Sequence, residues 1–233
     1  MKNAILFDLG NTLLRYYSRS EFPGILRQAI IGVQGYLRQE GLLGVSAESV
    51  WQRVEAENYE AEDYSVRPME GRLTRIFQLE NPTNEVIMTA CRHFMKPIFA
   101  IAHRYEDVLP ALQKLGAMGT RKAIISNVPW GCPGTLWREE IARFGLNSQI
   151  DAAFFCTDVG WRKPARQIFD YVLGKLQVEP QDCLFVGDDP RWDLVGPRAV
   201  GIEAVLIDRR GMTRNSEERS IKSLAELLTL DTR

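Results

Sequence analysis

Five short apolar runs, each closed by a turn residue or a charge, constrain this chain more than any other feature. They are AILF at 4–7, KAIIS at 122–126, AAFF at 152–155, CLFVG at 183–187 and EAVLI at 203–207. Each is too short for a helix, and none alternates apolar with polar as a half-wet strand does. Such runs fit strands of a parallel sheet covered on both faces. From Lys122 onward they alternate with helical patterns, TLWREEIARFG, PARQIFDYVLGKLQ and RWDLVGPRAVG. The alternation predicts an α/β fold with right-handed crossovers. In open sheets of this kind ligands sit beyond the carboxyl ends of the strands, near the switch in strand order. Asp8, Ser126 and Asp188 each fall at or just past a predicted strand end.

Residues 15–100 read differently. EFPGILRQAIIGVQGYLRQEG, SAESVWQRVEAENYEAEDY and TNEVIMTACRHFMKPIF are amphipathic at helical spacing, and no strand is predicted among them. Ser46 and Thr83 sit where N-caps belong. The expected organisation is a parallel-sheet core of residues 1–14 and 101–233 with a helical body, 15–100, inserted after the strand that carries Asp8. A body so placed can cover a site at that strand end. The tail RRGMTRNSEERS reads as a loop, followed by a last short helix.

With 233 residues, 45% of them hydrophobic, the chain can bury the core of one domain plus an insert. A formal net charge of -1 gives no global attraction to nucleic acid or to an anionic membrane, so neither is an expected partner. No apolar stretch approaches the roughly 20 residues of a membrane helix, and the run before Asp8 is too short for a signal-peptide core. The four cysteines form no CxxC pair, which predicts free thiols in a reducing compartment, the cytoplasm.

Four segments at strand ends carry chemistry: Asp8-Leu9-Gly10-Asn11-Thr12, Ser126-Asn127, Lys163-Pro164, and Gly187-Asp188-Asp189 with Asp193 close behind. Singly, each has an ordinary explanation: a turn former, a cap, or a solvated charge before a helix. Jointly they offer more. Asp8 and Asp188 are oxygen ligands of the kind Mg²⁺ takes together with a substrate phosphate. Lys163 can neutralise a phosphate oxygen or a carboxylate, and the hydroxyls of Ser126 or Thr12 can donate to phosphate. Phosphoryl transfer asks chiefly for positioning, a metal and charge neutralisation, and an aspartate can be its nucleophile.

In this order and at these spacings the motifs resemble the haloacid dehalogenase-like (HAD) hydrolase superfamily. FDLGNTLL is similar to its first motif, IISN to its second, and the stretch from Asp158 to Gly201 to its third and fourth. The resemblance implies a Rossmann-like core with a helical cap between motifs one and two, and a Mg²⁺-dependent phosphatase acting on a small phosphorylated metabolite. It implies Asp8 as nucleophile and metal ligand, Gly10 as a metal ligand through its carbonyl, Asp188 as a direct metal ligand, and Asp193 in or just behind the metal shell, orienting Lys163. Lys163 would steady Asp8 and the phosphoryl group, and Ser126 and Asn127 would bind phosphate. The departure is Gly10, where most phosphatases of the superfamily carry an aspartate acting as general acid and base. Four alternatives therefore stand beside a phosphatase with a substitute acid (Asp189, His103 or a cap carboxylate): a slower phosphatase, a phosphatase whose substrate brings a good leaving group, a metal-independent 2-haloacid dehalogenase, and a member that binds a phosphorylated ligand or partner without turnover. Arg15, Tyr16 and Tyr17 follow motif one closely enough to reach the site. His93 and His103 are expected to be structural or surface residues.

Overall fold

The structure is a computed structural model that describes residues 2–209, 211 and 218–230. In chain order its elements are β1 (Ala4–Phe7), β2 (Leu14–Arg15), α1 (Phe22–Gln39), α2 (Ala47–Glu57), α3 (Met69–Phe77), α4 (Asn84–Ala100), β3 (His103–Arg104), α5 (Val108–Ala117), β4 (Arg121–Ser126), α6 (Gly134–Arg143), β5 (Ala152–Phe155), α7 (Cys156–Val159), α8 (Arg166–Leu176), β6 (Cys183–Gly187), α9 (Pro190–Asp193), α10 (Val195–Ala199), β7 (Glu203–Ile207), β8 (Ser220–Ile221) and α11 (Leu224–Leu227).

Six strands form one parallel sheet in the order β5-β4-β1-β6-β7-β8. All five predicted strands are in it. The chain moves from β1 to β4 and β5 on one side, then returns to β6 and β7 on the other, so β1 lies at the switch in strand order. Every residue of β1 and β6 is buried, as continuous apolar runs require in a sheet covered on both faces. Among the described residues no helix is long and apolar enough to cross a membrane, and the four cysteines are free and buried.

The helices α1–α4 fill the stretch between β2 and β3, and α1 packs along α4. Apolar residues at helical spacing, Ile25, Ala29, Ile30, Val33 and Leu37 on α1 and Ile87, Cys91, Phe94 and Ile98 on α4, supply the buried faces. Ser46 and Thr83 cap α2 and α4 as expected, each accepting a 3.3 Å hydrogen bond from the N–H three residues on. Three local expectations change. Arg15 belongs to a two-residue strand, β2, which pairs antiparallel with β3 and so brings the exit from the sheet beside the return to it. α2 ends at Glu57 rather than running to Tyr64. RWDLVGPRAVG is two short helices, α9 and α10, broken at Leu194 between Pro190 and Pro197. Of the tail read as a loop, Arg210 and residues 212–217 lie outside the described residues; the short helix expected after it is α11.

The helical segment also touches the core far from its two ends. Ser65 bridges Trp161 antiparallel. The Val66 N–H donates to Gly160 O at 2.9 Å and the Arg162 N–H to Tyr64 O at 2.8 Å. Tyr64 meets Trp192 edge to face, and Trp130 Nε1–H donates to Asn58 Oδ1 at 3.3 Å.

Candidate active site

Asp8 follows β1 directly, and its N–H continues the ladder by donating to Val186 O of β6 at 2.9 Å. The backbone then turns sharply. Asn11 takes a left-handed φ of 55° and its N–H donates to Leu14 O, while Leu13 and Leu14 both donate to Leu9 O. This turn sets Asp8 at the carboxyl edge of the sheet between Ser126, the last residue of β4, and Asp188, the first after β6.

Lys163 ties the edge together. Its Nζ donates to Asp8 Oδ1 and to Asp193 Oδ1, both at 2.6 Å, and the side chain is 1% exposed. Ser126 Oγ donates to the same Asp8 oxygen at 3.2 Å. Asp193, on α9, also accepts from the Asp189 N–H at 3.1 Å. A Cβ at Gly187 would overlap the Asp193 carboxylate, so the glycine ending β6 is what lets α9 fold that side chain against the sheet. Asp189 caps α9 by accepting from the Arg191 N–H, and its carboxylate is held by the guanidiniums of Arg191 and Arg19.

One oxygen from each of Asp8, Asp188 and Asp193 can be chosen so that all lie within 4.8 Å of one another. Three carboxylates thus converge on a single ammonium. Burial pushes the Asp8 carboxyl up to about 6, against the attraction of Lys163 and helped by the charge of Asp193. Asp188 rises to about 8, through burial first and then the neighbouring charges of Asp8 and Asp193. Burial alone would lower the Lys163 ammonium, but the attraction of Asp193 and Asp8 reverses this and holds it above its usual range. Excess negative charge on hard oxygen donors is the situation a divalent cation relieves.

The cluster opens onto a cleft of about 640 Å³ whose walls include Asp8, Asn11, Tyr17, Arg19, Asp188 and Trp192. The expected site residues therefore converge, with three qualifications. Both polar atoms of the Asn127 amide are bonded to the Lys163 backbone: Nδ2–H donates to Lys163 O at 3.0 Å, and Oδ1 accepts from Lys163 N–H at 2.8 Å. Thr12 is fully buried, and its Oγ1 has no partner among the described residues. Gly10 precedes the left-handed Asn11, and a Cβ there would meet nothing closer than Tyr16 Cδ2 at 4.0 Å. Of the residues just after motif one, Tyr17 reaches the cleft, Tyr16 packs under it against Trp137, and Arg15 stays in β2. His93 stacks on Tyr36, and His103 is exposed in β3. The role of Asn127 as a clamp, and the presence of Trp192 in the wall, had no signal in the sequence because loop geometry alone decides them.

A carboxylate held by a buried lysine at the switch point of a parallel sheet, with two further acids and an open cleft, makes this a doubly wound α/β protein with an acidic, ligand-accessible site at its strand ends. Comparison with known proteins names the family. The profile of the haloacid dehalogenase-like hydrolases matches residues 2–201, and the chain belongs to that family. It is 30% identical over 135 residues to a ribulose-1,5-bisphosphate 5-phosphatase of Halopiger xanaduensis, a match spanning 53% of this chain and about half, 55%, of that relative. It is 26% identical to a glyceraldehyde 3-phosphate phosphatase of Methanopyrus kandleri, over 94% of this chain and 89% of the relative. A crystal structure of a HAD phosphatase from Thermococcus onnurineus superposes with a TM-score of 0.65 at 26% identity, covering 98% of this chain and 97% of the other. Solved structures of a HAD phosphatase and of a 2-haloacid dehalogenase both share the fold, so the fold alone does not choose the reaction.

Proposed function

We propose that this protein is a Mg²⁺-dependent phosphatase of a small phosphorylated metabolite, working through an aspartyl-phosphate on Asp8. One observation carries the reading: Lys163 holds Asp8 and Asp193 on one ammonium while Asp188 completes a cluster of acids within 4.8 Å. The phosphatase names of the relatives support it. Asp8, Asp188 and Asp193 would hold the ion, with the Gly10 carbonyl as a further ligand; when bound, it would neutralise charge on the phosphate oxygens.

The chain's own residues do the rest. Asp8 attacks phosphorus, the bond to the ester oxygen breaks and the leaving alkoxide takes a proton from water, and a second water then attacks the acyl phosphate, releasing phosphate and restoring the Asp8 carboxylate. Lys163 orients the attacking carboxylate and offsets charge on the transferring group. Ser126 fixes Asp8 from the β4 side in the free protein, and its one hydroxyl proton would turn to a phosphate oxygen when substrate binds. Asn127 holds the Lys163 peptide and so positions its ammonium. Thr12, shut away from the cleft, supports the turn after Asp8. Residues 1–14 and 101–233 form the catalytic core; the helices of 15–100 act as a cap that selects the substrate. Four free buried thiols support a cytoplasmic location.

Phosphate release from a panel of esters should stop with EDTA, return with Mg²⁺, and fall at least ~10³-fold in Asp8→Asn, in line with loss of a nucleophile. Turnover that survives chelation or this substitution sinks the reading. Gly10 favours a second reading, because displacement of halide needs no proton for its leaving group. Halide release from a 2-haloacid in EDTA would establish it.

A further inference from the structure

Beside the catalytic cleft lies a second one of about 500 Å³, and Tyr17 and Arg19 belong to the walls of both. Its apolar side is Tyr17, Phe22, Pro129 and Trp130; its polar side is Arg162 and Glu60. Arg162 directly precedes Lys163 in the chain, so the two cations serve adjoining chambers.

The charges of the second cleft do not balance. The Arg162 side chain is 16% exposed, and its ion-pair partner among the described residues is Glu60, at 3.4 Å. That same Glu60 oxygen accepts from Arg72 Nη2 at 2.8 Å, and Arg72 is wholly buried. Arg162 Nε is buried with no hydrogen-bond partner among the described residues. The neighbouring carboxylate gives no relief, since Glu57 already serves both Arg67 and Arg75. Four guanidiniums thus share two carboxylates. At the mouth, Arg19 is 73% exposed on its side chain and shares Asp189 with Arg191. A largely buried guanidinium without a full partner is costly, and its planar fork suits a carboxylate or a phosphate.

We propose that this second cleft is a subsite for an anionic group on the leaving half of the substrate, a carboxylate or a second phosphate, received by Arg162 with Arg19 at the entrance. The proposal rests on the phosphatase reading and adds to it the substrate class: phosphate monoesters that carry another acid. The apolar walls between the chambers take the linking carbons, and Glu60 holds Arg162 in place while leaving its net charge unsatisfied. A leaving group ending in a hydroxyl would enter but would not neutralise Arg162, so discrimination should be large.

The test uses alkyl phosphates of three to six carbons whose far end is a hydroxyl, a carboxylate or a second phosphate, with kcat/KM measured on wild type, Arg162→Gln, Arg162→Lys and Arg19→Gln. At the best chain length the anionic ends should exceed the hydroxyl end by at least tenfold, and the larger of the two identifies the group. The ratio should fall toward one in Arg162→Gln, persist in part in Arg162→Lys, and drop by a smaller factor in Arg19→Gln. Equal rates for all three ends in wild type, or a ratio that survives Arg162→Gln, overturn the subsite while leaving the phosphatase reading intact. Should Arg162→Gln not fold, the wild-type ratio and its drop in the exposed Arg19→Gln decide. Should no ester release phosphate, the phosphatase reading fails instead. Calorimetric binding of the same esters then decides the subsite: tighter binding of the anionic-ended esters supports it, and equal or absent binding overturns it.

Discussion

Lys163 and its three acids show how much a single residue can organise. One ammonium serves Asp8 and Asp193 directly, and Asp188 stands in the same field. Without a metal the acids are undercompensated, and the sign of the effect follows. Asp8, raised to about 6, and Asp188, raised to about 8, bind protons more tightly folded than unfolded. Their contribution to stability is therefore greatest below the ordinary carboxylate range near 4 and is lost as pH rises toward 8. The melting temperature of metal-free protein should fall between pH 5 and 8.5. Asp188→Asn should flatten that slope and raise the melting point at pH 8 by ~2–4 °C, equivalent to about 1 kcal/mol. An unchanged slope would show that Asp188 is not strained in this way. Gly10 gives the complementary case. The space at its Cβ is open, so Gly10→Asp should fold and, by supplying positioned acid–base catalysis, raise turnover of alkyl phosphates ~10²–10⁴-fold. Aryl phosphates, with better leaving groups, should gain much less. Equal gains for both would place the missing proton elsewhere.

At the scale of elements, the site is an agreement between β6 and α9. Gly187 ends the strand, Asp189 caps the helix, and Asp193 folds back over the glycine to reach Lys163. Gly187→Ala should displace Asp193, lower kcat by ~10²-fold or more, and destabilise the chain by about 1–3 kcal/mol, the usual range for overpacking. Chemical denaturation and kinetics on one sample would check both. Local sequence was a good guide wherever one pattern decided the outcome. The five buried strands read directly because apolar runs between turns have few other uses in a doubly covered sheet. α1 and α4 read from their stripes, and Asp8, Ser126 and Asp188 read together from their common position at strand ends, whereas Lys163 lies beyond α7 and Asp193 on α9. The reading failed where tertiary partners override local preference. α2 stops at Glu57 because that carboxylate turns to Arg67 and Arg75 while Asn58 meets Trp130. α3 went unread because it is nine residues long and carries a glycine within. Arg162 carries no signal in the sequence, and Asn127 reads as a phosphate ligand rather than a clamp, for a related reason: their partners lie on loops whose course no spacing reveals.

Seen whole, and beside side-chain links such as Asn58–Trp130 and Arg92–Glu139, the helical body is joined to the core through its backbone at three places among the described residues. Two are the adjacent strands β2 and β3. The third is the crossing of residues 64–66 with 160–162, where two backbone hydrogen bonds span the gap. Swinging the helices away about β2 and β3 would break both bonds at once. The Val66 and Arg162 amides should then exchange hydrogen with one common opening rate, and added Mg²⁺ with a phosphate mimic should slow both by the same factor. Two unrelated rates would show that the crossing does not open as a unit. The pairing of Leu14 with Arg104 and of Arg15 with His103 has one more consequence. Because the polypeptide departs and returns through a single doorway, everything between could be exchanged for a different assembly without redrawing the sheet behind it. Any such replacement would have to rebuild the far strut at Gly160, so reaction and clientele can drift apart in evolution only as far as that strut allows.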